Sequence, residues 1–250
     1  MAELPPRNSI TLHGMRIDRV TMEGALAYIA SFIASGKPHH IVTADASMVM
    51  TYREDKDFAA LVEQAALITP DGAGIIWASK RLGVPITAKV SGVDLSAKLV
   101  ELSGKNGWRI FFFGGAPGIA EAAAQKMRER FPDANICGMR DGYYKADEED
   151  TVAEQIAATK PDILLVAMGI PRQEKFIQRQ KGRVGAKVYI GVGGTLDVFS
   201  GTVKRAPVWM QKSGLEWLYR ISSSPNAARM KKLAALPQFA RLTLTTQTKK

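Results

Sequence analysis

The strongest constraint on the fold is the repeated alternation of solidly apolar segments with segments of helical pattern. Short apolar runs, among them 108–113, 162–167 and 187–192, are separated by longer stretches that place apolar residues on one side of a helix. Strands without polar alternation need cover on both faces, which is typical of a parallel sheet between helices. The sequence therefore predicts an α/β protein with a Rossmann-like, mostly parallel sheet and helices on both faces.

The two ends of the chain depart from this alternation. Residues 10–20 alternate apolar and polar side chains around His13-Gly14, which predicts an N-terminal hairpin. From Thr202 onward no strand pattern returns, and helices are predicted over 209–222 and 226–236. We therefore expect an α/β body over residues 1–200 and a helical appendage over residues 201–250.

The net charge of +10 over 250 residues is concentrated in the appendage. Residues 1–200 contain 24 basic and 23 acidic side chains, whereas residues 201–250 contain 10 basic side chains and one acid, Glu216. A nearly neutral body argues against a nucleic-acid partner, since such proteins more often carry basic charge across the fold. Basic residues together with Trp209 and Trp217 suit an anionic membrane surface. The alternative is that the apolar side of these helices packs on the body.

The sequence also bears on the compartment. A single cysteine, Cys137, excludes an intrachain disulfide framework and a cysteine zinc cluster, and fits a reducing compartment. No apolar run approaches the ~20 residues of a spanning helix, and the first residues lack the apolar core of a secretory signal. We expect a cytoplasmic location, with binding to the inner face of a membrane left open.

Candidate site residues follow the predicted strands, because ligands of open parallel sheets bind beyond the carboxyl ends of the strands. Asp71, between Pro70 and Gly72, suits a general base for a hydroxyl group, or alternatively the N-cap of the next helix. Asp45 would hold a sugar hydroxyl or cap a helix. Gln173 opens another helix, where capping is the usual outcome.

Glycines at the same strand ends allow a ligand to approach the backbone closely. The loop with Gly114 and Gly115 is the best phosphate candidate, although it is not a GxGxxG fingerprint, and a turn needed only for packing is equally compatible. Further glycines follow other strands at Gly169, Gly193 and Gly194. No Asp-x-Asp pair ends a strand, so we expect no metal requirement.

Six segments, taken in order, resemble the WecG/TagA/CpsF glycosyltransferases, which form glycosyltransferase family 26. They are PDGAGIIWASKRLG, SGVDL, FFFGG, PDILLVAMGIPRQEKF, GVGGTLDVFSG and RAPVWMQKSGLEWLYR, and the resemblance covers about residues 10–233. It implies a GT-E-type Rossmann-like body and an inverting, metal-independent transferase without a cofactor. Such enzymes move a sugar from a UDP-sugar to a polyprenyl-diphosphate-linked sugar at the cytoplasmic membrane face. The donor would carry an N-acetylmannosamine-type sugar, its uronic acid or a hexose.

The resemblance also implies roles for individual residues. Asp71 matches the family's proposed catalytic base, Thr43 lines the same pocket, and Gln173 lies near the sugar. The glycine segments match nucleotide-contacting segments. Arg220 and Arg229 are the nearest matches to arginines that the appendage brings to the diphosphate when it closes over the site. One departure bears on the donor sugar: the family usually shows Thr-x-Asn, and this chain has Asp45, whose ionised carboxylate only accepts hydrogen bonds.

Other readings of the sequence stay open at this stage. A nucleotide-sugar or dinucleotide-modifying enzyme would have the same kind of sheet, and so would a non-catalytic nucleotide-binding module. The family includes assemblies that rearrange on membranes, so a homo-oligomer is also left open.

Overall fold

The computed structural model describes residues 8–207, 210, 219 and 227–246, with residues 227–233 described by their backbone alone. Its elements, in chain order, are β1 (Ser9–Leu12), β2 (Met15–Asp18), α1 (Met22–Ser35), β3 (His39–Ala44), α2 (Ala46–Glu54), α3 (Lys56–Glu63), β4 (Leu67–Pro70), α4 (Ala73–Arg81), α5 (Gly92–Asn106), β5 (Ile110–Gly114), α6 (Ile119–Arg130), β6 (Ile136–Arg140), α7 (Glu149–Ala158), β7 (Ile163–Ala167), α8 (Arg172–Val184), β8 (Val188–Gly191), α9 (Thr195–Phe199) and α10 (Ala227–Thr245).

Six of the strands form one parallel sheet in the order β4-β3-β8-β7-β5-β6, which confirms the predicted α/β architecture. Strands β1 and β2 form a separate antiparallel hairpin with Ser9 opposite Asp18, as the alternation around His13-Gly14 predicts. The described helices include none long and apolar enough to cross a membrane.

Alternate residues of each strand enter the core on opposite faces of the sheet. Ile110 and Phe112 of β5 pack with α1, α5, α6 and α9 on one face. Phe111 and Phe113 pack with α7 and α8 on the other. The β3–β4 end of that second face is covered by α2, α3, α4 and the hairpin. The four inner strands, β3, β8, β7 and β5, are thereby shielded from water on both faces of the sheet.

Most predicted helix ends are confirmed by their caps. The Thr21 hydroxyl accepts a hydrogen bond from Gly24 N at 3.1 Å, and Gly36 ends α1 with a positive φ. Two segments differ from what the sequence predicts. A proline such as Pro117 favours the first position of a helix, which predicts a helix from Pro117 onward. Helix α6 begins at Ile119 instead, because the intervening Gly118 adopts a φ of 84° and lies outside the helix. The short helix α9 was not predicted, because its start follows two glycines.

The C-terminal helix α10 packs on α2 and α4 of the body. It continues to Thr245, beyond the predicted end at Leu236 and through Pro237. Phe239 is 2% exposed and joins the core beneath α2 and α4, and its ring meets that of His13 edge-on with centroids 5.6 Å apart. Of the two alternatives for the C-terminal helices, membrane contact or packing on the body, α10 shows packing on the body. The predicted helix over 209–222, with Trp209 and Trp217, lies outside the described residues, and the boundary at residue 200 stays a prediction.

Removing the Phe239 ring should destabilise the fold markedly. Phe239→Ala leaves a cavity between α10, α2 and α4, and we expect a loss of about 3–5 kcal/mol in the free energy of unfolding. Urea unfolding measures it. The control is Leu244→Ala on the same helix, where the side chain is 57% exposed; it should change stability by about 0.5 kcal/mol or less. Equal midpoints for the two variants would contradict the packing of α10.

A buried histidine predicts acid sensitivity. Burial first, and then the charge of Lys181, lower the pKa of His40 on β3 from 6.5 to about 3. The folded state therefore holds neutral His40, so its contribution to stability is complete above pH 6.5 and is lost as the pH falls from 6.5 toward 3. We expect His40→Leu to flatten the fall of unfolding free energy between pH 7 and pH 4, measured by urea titration at each pH. If the unfolding free energy of His40→Leu fell as steeply with pH as that of the unaltered protein, His40 would be excluded as the cause of the acid sensitivity.

Candidate active site

The predicted site residues on strands β3, β4, β7 and β8 meet at the carboxyl edge of the sheet. Backbone contacts link neighbouring strand ends: Asp71 N donates to Ala44 O at 2.8 Å, and Val192 N donates to Val166 O at 2.9 Å. Thr43 Oγ1 donates to Gly191 O at 2.8 Å and so ties β3 to β8. Asp71, Thr43 and the glycine loops consequently border one region, as expected for parallel strands.

Asp71 is held by the start of a helix distant in sequence. Its Oδ2 accepts a hydrogen bond from Gly92 N, the first residue of α5, at 3.0 Å. The N-cap residue of the following helix α4 is Gly72, which has no side chain to cap it. The carboxylate therefore lies at the N-terminus of α5, where a backbone N–H group fixes the position of one of its oxygens.

Thr43 lies beside this carboxylate site through the same residue, Gly92. The Thr43 side chain is buried, and a Cβ placed on Gly92 would come within 3.3 Å of Thr43 Oγ1. A larger residue at position 92 would push against this hydroxyl. The glycine at the start of α5 thus lets β3, β4 and α5 approach closely enough to join Thr43 and Asp71 in one cluster.

Asp45 acts as a helix cap. Its Oδ1 accepts hydrogen bonds from Met48 N at 2.9 Å and from Ser47 Oγ at 2.6 Å, at the N-terminus of α2. This is the capping alternative of the sequence analysis. Asn and Asp cap helices about equally well, so an Asp in place of the Asn that the resemblance implies keeps the local structure.

The buried side chain of Gln173 links the loop after β7 to the loop after β8. Its Oε1 accepts hydrogen bonds from Gly169 N at 3.2 Å and Gly193 N at 2.9 Å, and its Nε2 donates to Glu174 Oε1 at 2.7 Å. The side chain is buried. The N–H groups of Gly169 and Gly193 already donate to this amide. These two glycines would therefore contact a nucleotide by letting it lie close to the backbone, and not by donating hydrogen bonds from these N–H groups to it.

The Gly114-Gly115 loop has a clear packing requirement. Gly114 has a φ of 125°, and a Cβ there would collide with the carbonyl oxygen of Ala167 on β7. Gly115 N donates to the same oxygen at 2.9 Å. The loop leads into α6, which starts after Gly118 without a side-chain cap. The packing alternative is met, and the uncapped helix start beside it still suits an anion. Gly194 directly precedes α9.

An ion pair next to this cluster was missed by the sequence analysis. Arg205 donates to Asp94 Oδ1 at 2.7 Å, and Ser91 Oγ, at the N-cap of α5, donates to Asp94 Oδ2 at 2.6 Å. Burial would raise the pKa of the Asp94 carboxyl, but the hydrogen bonds from Arg205 and Ser91 outweigh it and hold the pKa below its ordinary value. Both residues occur in quoted segments, SGVDL and RAPVW, but nothing in the sequence pairs them.

Two predicted residues have no described side chains. Arg220 lies outside the described residues, and Arg229 is described only as part of the backbone of α10. Within the described part of the chain, no group of three or more His, Cys, Asp or Glu side chains is arranged to hold a metal ion.

Comparison with known proteins identifies the family. The model of the glycosyl transferase WecG/TagA/CpsF family matches residues 10–250. The chain belongs to this family. Among its relatives are proteins named N-acetylglucosaminyldiphosphoundecaprenol N-acetyl-beta-D-mannosaminyltransferase. The one from Bacillus spizizenii is 34% identical over 84% of this chain and 80% of its own, and the one from Staphylococcus aureus is 32% identical over 92% of this chain and 90% of its own.

Membership confirms the resemblance seen in the sequence and makes this chain a WecG/TagA/CpsF glycosyltransferase. The family match extends to residue 250 and so includes α10, which packs on the body beside the start of α4. The segments quoted for the resemblance supply the loops at one edge of the sheet: PDGAG follows β4, FFFGG ends β5, and GIPRQE follows β7.

The link that Gln173 makes between two loops is testable by stability. Gln173→Ala leaves the half-buried N–H groups of Gly169 and Gly193 without their acceptor, and we expect a loss of about 1–2 kcal/mol. The matched control is Gln178→Ala on the same helix, whose Nε2 donates to Gln64 in an exposed position; it should cost about 0.5 kcal/mol or less. Urea unfolding compares the two. Similar small losses would show that Gln173 does not support these loops.

Proposed function

We propose that this protein transfers a sugar from a UDP-sugar to a polyprenyl-diphosphate-linked sugar, with inversion and without a metal ion. The observation that carries the proposal is the placement of Asp71, held by Gly92 N beside Thr43 at the carboxyl edge of the sheet. The names of the relatives give N-acetylglucosaminyldiphosphoundecaprenol as their acceptor and N-acetylmannosaminyl as the group they transfer. We propose an acceptor of that class here, with an N-acetylmannosamine-type donor first, before its uronic acid or a hexose.

In the proposed reaction Asp71 is the general base. Its carboxylate takes the proton from the attacking hydroxyl of the acceptor sugar. The hydroxyl oxygen bonds to the anomeric carbon from the side opposite the UDP group, and the bond to UDP breaks with its electron pair on the diphosphate oxygen. The configuration at the anomeric carbon is thereby inverted. The hydrogen bond from Gly92 N fixes the orientation of the carboxylate for this step.

The charge that develops on UDP needs stabilisation from the protein. Helices α4 and α6 start at this edge without side-chain caps, whereas α2 is capped by Asp45 and α5 by Ser91. The uncapped starts offer N–H groups and positive dipole ends to the diphosphate. By the family resemblance, Arg220 and Arg229 add positive charge, and bidentate arginine contacts suit phosphate.

The remaining predicted residues take substrate roles in this proposal. Thr43, Asp45 and Gln173 border the sugar, and Gly114, Gly115, Gly169, Gly193 and Gly194 let the nucleotide approach the backbone. Residues 201–250 close over the site and contact the membrane. The lipid-linked acceptor places the enzyme peripherally on the inner face of the cytoplasmic membrane, and a homo-oligomer there is part of the hypothesis.

The base assignment is tested by Asp71→Asn, which keeps an acceptor for Gly92 N but removes the basic oxygen. We expect kcat to fall by about 10²–10⁴-fold, with UDP affinity changed by about twofold or less. Released UDP is measured with a short-chain polyprenyl-diphosphate N-acetylglucosamine acceptor and a panel of UDP-sugars, and UDP binding by calorimetry.

The control is Asp57→Asn in the first turn of α3, an exposed residue that is not among the site residues. It should keep full turnover. Near-normal activity of Asp71→Asn would refute the assignment of the base, and a lack of transfer from every UDP-sugar by the unaltered enzyme would refute the proposed reaction.

A further inference from the structure

Helix α4 carries a tryptophan and two cations on one outward face. Trp77, Lys80 and Arg81 are spaced i, i+3 and i+4 and are exposed, while Ile75, Ala78 and Ser79 on the other side of the helix are buried. We refer to Trp77, Lys80 and Arg81 as the α4 face. The Trp77 side chain is 41% exposed, although α4 has a buried side available for apolar residues.

The sequence on and next to the α4 face is basic and lacks acidic residues. Residues 72–93 contain three basic residues, Lys80, Arg81 and Lys89, and no acid. Helix α10, which packs against α4, contains four basic residues and no acid in its sequence. In a body whose charges nearly balance, this acid-free stretch is a local departure.

We propose that the α4 face, together with the neighbouring part of α10, docks on the surface of an anionic lipid bilayer. Lysine and arginine near such a surface gain from its negative potential, and a tryptophan ring is suited to the layer between headgroups and acyl chains. Trp77 and Arg81 are residue types that protein interfaces also favour, but lysine is depleted there, and the lipid surface suits all three residues of the α4 face. This assigns membrane contact to the body itself, in addition to the appendage.

The position of the α4 face relative to Asp71 supports this docking. Helix α4 starts two residues after Asp71 and is nine residues long, which corresponds to about 14 Å. Asp71 therefore lies within about one short helix length of the proposed membrane contact. A sugar whose diphosphate remains at the headgroup layer can then be offered to the site. This inference rests on the proposed function, since a lipid-linked acceptor is what brings this face to a membrane.

The test measures binding of the full chain to vesicles of phosphatidylcholine with and without phosphatidylglycerol, by co-sedimentation. Removing both cations in Lys80→Gln/Arg81→Gln should lower the partition coefficient to anionic vesicles about 25-fold, and Trp77→Ala should lower it about tenfold. Binding should weaken as salt is raised. In Trp77→Phe, the blue shift of tryptophan emission on adding anionic vesicles should be smaller than in the unaltered protein.

The matched control is Lys105→Gln/Arg130→Gln, which removes the same two charge types in the last turns of α5 and α6, on the opposite face of the sheet from α4. It should bind vesicles nearly as the unaltered protein does. Equal losses in the two double variants would show that only net charge matters and would overturn the assignment. So would α4-face variants that keep vesicle binding but lose self-association, because the face would then be an interface between copies.

The outcome for the α4 face can be separated from the outcome for the proposed reaction. Turnover of a water-soluble acceptor without vesicles should be the same in the α4-face variants as in the unaltered protein, whereas Asp71→Asn should lose turnover and keep vesicle binding. Vesicle binding that depends on the α4 face, without transfer of any sugar, would leave the docking surface in place and remove the proposed reaction. Sugar transfer by a protein whose vesicle binding does not depend on the α4 face would support the proposed reaction and refute the docking surface.

Discussion

The inner strands of the parallel sheet are mostly apolar, and their burial on both faces governs where the polar groups of the body lie. Phe111 and Phe112 face opposite sides of the sheet, and both are covered by helices. Polar groups can then reach solvent together only at the strand ends. At the carboxyl edge the loops also contain glycines and helix starts, so the constraint that forms the core leaves one edge suited to bind and react with an anionic ligand.

The N-terminus of α5 organises that edge. Ser91 caps the helix, Gly92 N holds the Asp71 carboxylate, and Asp94 pairs with Arg205 at the start of the C-terminal segment. The same glycine lets Thr43 approach closely. The ends of β3 and β4 and the start of the C-terminal segment therefore all depend on the start of α5. A change there would alter the proposed base, its neighbouring hydroxyl and the connection to the appendage at once.

The C-terminal helix is integral to the packing of this fold. Phe239 of α10 contacts the core near Gly74, and a Cβ on Gly74 would lie 3.7 Å from its ring. Gly74 is in the first turn of α4, close after Asp71, so α10 supports the helix that starts at the proposed base. Placing α10 beside α4 also brings two acid-free basic segments together, which gives the proposed membrane-docking face a greater extent than either helix has alone.

The sequence by itself determined the parallel α/β sheet, the hairpin, the family, and the strand-end positions of Asp71, Thr43, Asp45 and Gln173, because apolar periodicity, caps and glycines are local signals. Only the tertiary structure decided what those side chains contact. Asp71 meets Gly92, Gln173 spans the loops at Gly169 and Gly193, and Arg205 finds Asp94, 111 residues away. Such partners depend on strand order and helix packing, which no local pattern encodes. The docking of α10 through Phe239 is of the same kind, since the sequence of this helix does not show which elements of the body cover its apolar residues.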